Sequence, residues 1–393
     1  MNSPSHTFAQ TCACQLRDAG FSLVELMVAM TIGVVLIFGA TQVYVDSRNA
    51  YEGNETIARL QENARYALSV IEPDIRMSNY WGLVKDPKSV VGRVPQTQAP
   101  AAFAGNAATD CGPNFGIDLE TNIEATDDAY NFGCAAFNGN PMPLADTLTV
   151  RRASSVVYPG AGVPLPAPLP ANGPLRICSI RGSAALVTTM AASANCAAAV
   201  TPSPTPPSVG LAVGQINDLI VNAYYVDANS DEFPGQPVPS LRRQTLNAPP
   251  AAPGFRDEEI VSGIEDMQIQ LGIDPTGGLG AVTGVATQYL NPTPALMAQL
   301  QAVPPPTPPQ IVAVRIWLLV RSDTPEVGFS DDRIYEYADR RRANGLTGDL
   351  TSAADATKAY QPSLSGDNSF TGVKRYRRLL VSRTIQVRNA SGT

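Results

Sequence analysis

The chain has 393 residues with 28 basic and 35 acidic side chains, a formal net charge of −7, and only 16% charged residues. That balance argues against a nucleic-acid binder. The 34 prolines and 31 glycines predict that loops and turns fill much of the chain, and the length allows one large domain or two small ones beyond an anchor.

Residues 1–20 read as a leader rather than as structure. A secretory signal peptide would end its apolar core in an A-x-A-like site, and none follows Phe38-Gly39-Ala40. The leader is close to neutral, with Arg17 beside Asp18, so the positive-inside signal is weak. His6, the single histidine, lies in this segment, so histidine-based catalysis is excluded from the processed chain. Next, Gly20-Phe21-Ser22-Leu23-Val24-Glu25-Leu26 opens a long apolar run that ends near Val45, and Glu25 is the only charged side chain from Phe21 to Val45. The segment Leu26 to Val45, as a helix at ~1.5 Å per residue, reaches about 30 Å and can cross a bilayer core. A carboxylate near its start costs ~2.5–3.5 kcal/mol or more at the bilayer centre and less near the interface, so a partner for Glu25 is expected.

The stretch from Gly20 to Leu26 followed by an apolar helix resembles the processing and methylation site of type IV prepilins and pseudopilins. The resemblance implies that a prepilin peptidase cuts between Gly20 and Phe21, then N-methylates Phe21. It also implies an assembly role for Glu25, whose carboxylate would pair with the Phe21 amine of a neighbouring subunit inside the filament core. Such pairing would make an intramembrane acid tolerable.

The helix then changes character. Ile57, Leu60, Ala64, Leu68, Ile71 and Ile75 recur at helical spacing, with Glu55, Arg59, Glu62, Arg65 and Glu72 on other faces. This predicts an amphipathic half, residues 46–82, laid on a soluble core. Pro73 should bend the helix or mark a late break, and Asn79-Tyr80-Trp81-Gly82 should end it. The segment Ala58 to Leu68, with Asp74-Ile75-Arg76-Met77 after it, is similar to the PilW family of minor pilins of Gram-negative type IV pili. Gly263 to Ile269, Val312 to Ile316 and Gln386 to Asn389 agree with that family.

Downstream, Met267, Ile269, Leu271 and Ile273 alternate as in a half-buried strand. Residues 146–151, 218–226, 310–320 and 379–387 also read as strands, and a short helix is expected around Leu296 to Leu300. Pro-rich pieces at 163–174, 201–207, 248–253 and 303–309 read as stiff, solvated loops. The expectation is an α+β, pilin-like fold: a long N-terminal helix packed on antiparallel sheet. Its parts would be a leader (1–20), a transmembrane or filament-core half-helix (21–45), an amphipathic half (46–82) and a periplasmic β-rich domain (83–393).

Cys12 and Cys14 would leave with the leader, which keeps Cys111, Cys134, Cys178 and Cys196. Four cysteines permit three pairings. The nearest-neighbour scheme closes two short loops worth ~3 kcal/mol each in the chain-entropy model. The spacings do not suit zinc, and they suit a disulfide-bonded exported domain. Asp227-Ala228-Asn229-Ser230-Asp231 begins like a calcium loop, but Glu232 stands where glycine should follow and Val238 where the closing acid should stand. Asx-turn chemistry explains it better. Arg340-Arg341-Arg342 follows Asp331, Asp332, Glu336 and Asp339, as on a mixed-charge surface. Arg375, Arg377, Arg378 and Arg383 read as the wet face of a last strand or a subunit contact. No nucleophile motif appears, so neither catalysis, a metal nor a cofactor is expected.

By resemblance the chain would be a structural subunit of the complex that primes pilus assembly near the tip, serving twitching motility. Its partners would be the major pilin, other minor pilins, a PilY-type tip adhesin and the prepilin peptidase. It would wait as a single-pass protein in the inner membrane before entering the pilus at the cell surface. The alternatives are a minor pseudopilin of a type II secretion system and an adhesive, ligand-binding tip subunit.

Overall fold

The computed structural model describes residues 22–94, 111–112, 114–158, 175–187, 214–247, 254–275, 283–301, 309–326, 329–338 and 374–390. The chain divides into two compact units, Met1–Glu55 and Thr56–Thr393. In the first, the described residues are helical from Leu23 onward and belong to α1 (Leu23–Met77). Its side chains between Leu23 and Val45 are exposed on every face, as the absence of any amphipathic period there dictates.

In the second unit, α1 shows one buried stripe: Leu60, Ala64, Ala67, Leu68, Ile71 and Ile75. Spacings of three and four residues put these side chains on one face. The helix runs past Pro73 to Met77, so Pro73 does not end it. Four residues remain after the proline, and loss of one backbone donor near a helix end is tolerable. The end comes at Asn79, whose φ of +61° takes the left-handed conformation that asparagine accepts at a helix terminus. Its side chain donates to the Asn389 carbonyl at 2.8 Å and accepts from the Trp81 indole at 2.8 Å.

Two sheets accompany the stripe. The first contains β1 (Val90–Val91), β2 (Ile123–Thr126), β3 (Thr147–Val157), β4 (Arg176–Ile180), β5 (Ser183–Val187), β6 (Gln215–Asp227), β7 (Ser240–Asn247) and β8 (Gly254–Ser262). Its order is β1-β5-β4-β6-β3-β2, and β7 with β8 branches from β6. One edge of β6 is shared: Gln215 to Asp218 pair with β4, and Asn222 to Asp227 pair with β7. Its other edge pairs with β3. Only the short β1–β5 pairing is parallel among the described strands. The second sheet holds β9 (Ile264–Asp274), β10 (Gln288–Leu290), β11 (Gln310–Arg321) and β12 (Arg378–Gln386), all antiparallel in the order β10-β9-β11-β12. A short helix, α2 (Pro294–Leu300), follows β10 and is capped by the Thr293 hydroxyl.

The main core joins the stripe of α1 to Ile269, Leu271, Val314, Ile316 and Ile385 of the second sheet and to Leu148, Val150 and Tyr224 of the first. A second core, with Trp81, Ile117, Ala153, Ile177, Leu219 and Val221, lies on the other face of the first sheet, as the odd–even alternation along β3 and β6 requires. An α+β architecture is therefore present, with a long apolar N-terminal helix and mostly antiparallel sheets.

Two expectations are corrected. The strand around Met267 to Ile273 is not half-buried, because Asp266 and Gln268 on its other face are buried as well. Tyr337 donates to Asp266 at 2.5 Å and Gln268 donates to the Leu144 carbonyl at 2.9 Å, so loops cover that face through hydrogen bonds. Arg378 is not on a wet face. It is 2% exposed and makes two bonds to the buried Glu265, at 2.6 and 3.2 Å. Arg377 pairs with Glu326 at 2.7 Å, which holds that carboxyl below its ordinary range, and Arg383 pairs with Glu72 at 2.9 Å.

Candidate functional site

Gly20 and Phe21, the expected cleavage point, lie outside the described residues. The first described residue, Ser22, starts a reciprocal cap. The Val24 N–H donates to the Ser22 hydroxyl at 3.3 Å, and the Ser22 N–H donates to Glu25 Oε2 at 3.1 Å. This is a capping box, which answers two backbone donors that no helical carbonyl can reach. Glu25 thus sits at the third helical position, where the positive end of the helix dipole favours a carboxylate. Sequence reasoning weighed Glu25 as an isolated intramembrane acid and missed this local role. The Ser22-x-x-Glu25 spacing ahead of an apolar run was the signal that could have found it.

From Leu23 to Val45 the surface is what a lipid tail or an apolar partner helix would meet. Leu23, Met27, Val35, Ile37 and Phe38 are all more than 60% exposed. The two threonine hydroxyls in this run donate to carbonyls of the same helix, Thr31 to Val28 at 2.8 Å and Thr41 to Ile37 at 2.7 Å. No polar group of theirs then needs water, which suits a dry surrounding. This helix is long and apolar enough to cross a membrane.

In the second unit a buried acid fixes the far end of α1. Asp74 is 4% exposed and receives Arg152 from β3 at 2.7 and 3.0 Å. Asn222 and Tyr224 of β6 donate to its other oxygen at 2.5 and 2.6 Å. Both carboxylate oxygens are satisfied, so burial of this charge is compensated by a full set of donors. Burial beside Asp74 pushes the Tyr224 phenol well above its ordinary pKa.

Cys111 is joined to Cys134. The loop so closed carries Phe115, Tyr130 and Phe132, which stack edge to face with one another and with Phe255 and Tyr225. Cys178 is also disulfide-bonded, and Cys196 lies outside the described residues.

The Asp227–Asp231 turn is an Asx turn, with the Asn229 N–H donating to Asp227 Oδ1 at 3.0 Å. A guanidinium meets the last acid of the turn. Arg242 reaches Asp231 at 2.9 Å, Asp257 at 2.6 Å and Glu259 at 3.2 Å, and it stacks on Phe137 at 3.7 Å. Burial raises the Asp227 carboxyl to about 6. No cluster of metal-ligating side chains occurs among the described residues. Arg340, Arg341 and Arg342 fall outside them.

Comparison with known proteins follows the same lines. Residues 16–41 match the family model of the prokaryotic N-terminal methylation motif. Residues 223–389, from within β6 to just past β12, match that of type IV pilus-assembly protein W. No curated protein matches the chain. Among solved structures, a type IV-like pilin from Thermus thermophilus aligns at 15% identity with a TM-score of 0.20, covering 44% of this chain and 68% of that one. The apolar helix and the methylation motif define a type IV pilin-like protein. Its C-terminal region, residues 223–389, matches the PilW family.

Proposed function

We propose that the chain is a minor pilin of a type IV pilus, a structural subunit of the complex that primes assembly and sits near the tip. The observation that carries this reading is the pairing of a prepilin methylation motif with a PilW domain in one chain. Prepilin peptidase would remove residues 1–20 and methylate Phe21. The apolar half-helix, residues 21–45, would hold the subunit in the inner membrane, with residues 46–82 and the β-rich domain, 83–393, on the periplasmic side. Extraction then moves the apolar surface from lipid into the helical core of the filament, so little hydrophobic burial is lost.

Glu25 exchanges its bond to the Ser22 N–H for the amine of a neighbour's Phe21, an ion pair that selects the docking register. The major pilin, other minor pilins and a PilY-type tip adhesin are the partners. The same processing chemistry serves secretion pseudopilins, so the test compares the two outputs. In a deletion strain, sheared surface pili and twitching are lost while secretion by the type II system continues, and complementation restores pili. Loss of secretion with intact pili would overturn the assignment.

A further inference from the structure

At the outer end of the apolar run the helix carries a stripe that its packing does not use. Tyr44 and Tyr51 are 68% and 70% exposed, and the Arg48 side chain between them is 67% exposed. At 3.6 residues per turn these three fall within roughly 60° of one another on one face, whereas Asp46 projects from the opposite side. Arg48 donates its Nε–H to Glu52 at 2.9 Å, one turn further out. The uncharged run ends at Val45.

We propose that Tyr44, Arg48 and Tyr51 form a seat for the headgroups of a zwitterionic phospholipid at the periplasmic surface of the membrane. The proposal rests on the anchor reading above. Three observations favour lipid as the occupant. First, the stripe is continuous with the apolar surface that lipid tails would cover. Second, its length fits: seven residues rise about 10 Å, enough to cross the ~5–8 Å of headgroup depth beside each face of the ~30 Å core. Tyr44 then lies at the hydrocarbon boundary and Tyr51 at the outer edge of the headgroups. Amphipathic rings of this kind prefer that level, with the ring in the acyl boundary and the hydroxyl in the wet layer. Third, the charges match. Arg48 offers N–H donors to a phosphate, and Glu52 offers a carboxylate to the headgroup ammonium. The segment also holds Asp46 and Glu55, so it is net acidic, which disfavours an anionic lipid surface.

The test uses the full chain in phosphatidylethanolamine-containing vesicles with bromines placed shallow or deep in the acyl chains. Tyr44→Trp and Tyr51→Trp are compared with the unsubstituted protein, whose Trp81 and Trp317 set the background. Trp at position 44 should lose more emission to shallow bromines than to deep ones, and Trp at position 51 should lose little to either. Arg48→Glu added to Tyr44→Trp should weaken the shallow quenching, and unchanged quenching would remove Arg48 from the seat. Strongest quenching of position 44 by deep bromines, or none in protein that floats with the vesicles, would overturn the seat. The latter result would turn the stripe toward a protein partner. Protein that does not float at all would overturn the anchor reading itself.

Discussion

Two stretches of one helix put apolar residues to opposite use. From Leu23 to Val45 the large side chains point outward on every face and nothing in their own unit covers them. From Leu60 to Ile75 the apolar residues form one stripe, buried to within a few per cent among strands of both sheets. At about 25 cal/mol per Å² the first stretch represents a large unspent driving force, which only lipid or neighbouring helices can satisfy. The second satisfies its own. The acids follow the same division. Glu25 has the helix start as its only described partner, while Asp74 is held on both oxygens by Arg152, Asn222 and Tyr224. One acid is held only by the start of its own helix, and the other is locked from both sides.

Substitutions in each stretch break this comparison in different ways. The largest effect is expected at the processing site: Gly20→Asp should leave the chain uncut, seen as retention of the leader in the intact mass of the membrane-extracted protein. Glu25→Ala should be processed normally yet be depleted from sheared pili, and normal recovery there would refute the exchange of partners. In the second stretch, Asp74→Ala strands Arg152 in a buried site. It should cost about 3–5 kcal/mol in denaturant unfolding, without preventing cleavage at Gly20. The disulfide comes next: Cys111→Ser should lower stability by ~2–4 kcal/mol and loosen the aromatic loop, visible as reduced near-ultraviolet dichroism.

The smallest effect is that of pH. Burial raises the Asp227 carboxyl from 3.8 to about 6, so the folded chain binds this proton more tightly than the unfolded chain. Its contribution is therefore fully present below the unfolded value and is lost as pH rises towards 6. Asp146, buried and also raised, acts with the same sign. Asp227→Asn should flatten the stability profile between pH 4 and about 6. A wild-type-minus-variant stability difference that rises over that interval would contradict the sign.

The apolar run, the amphipathic stripe, the later strands and the short helix at Pro294–Leu300 were legible because local periodicity and residue type determine them. So was the Asx turn at Asp227, which depends on neighbours two residues away. What escaped were pairings between residues far apart in the chain. Arg378 lies beside other arginines in sequence and reads as a wet face, yet it meets Glu265 across 113 residues. Asp74 lies three residues before the end of α1, and its three partners lie 78 to 150 residues downstream.

The sequence by itself determined which part of the helix must seek an outside partner, because a segment apolar on every face has no side to turn to its own core. It also determined the cap at the helix start, where Ser22 and Glu25 stand three residues apart along the chain. Only the tertiary structure decided which charges are buried. The desolvation of a charge and the donors that offset it are set by strands brought together in space, and no local spacing encodes them.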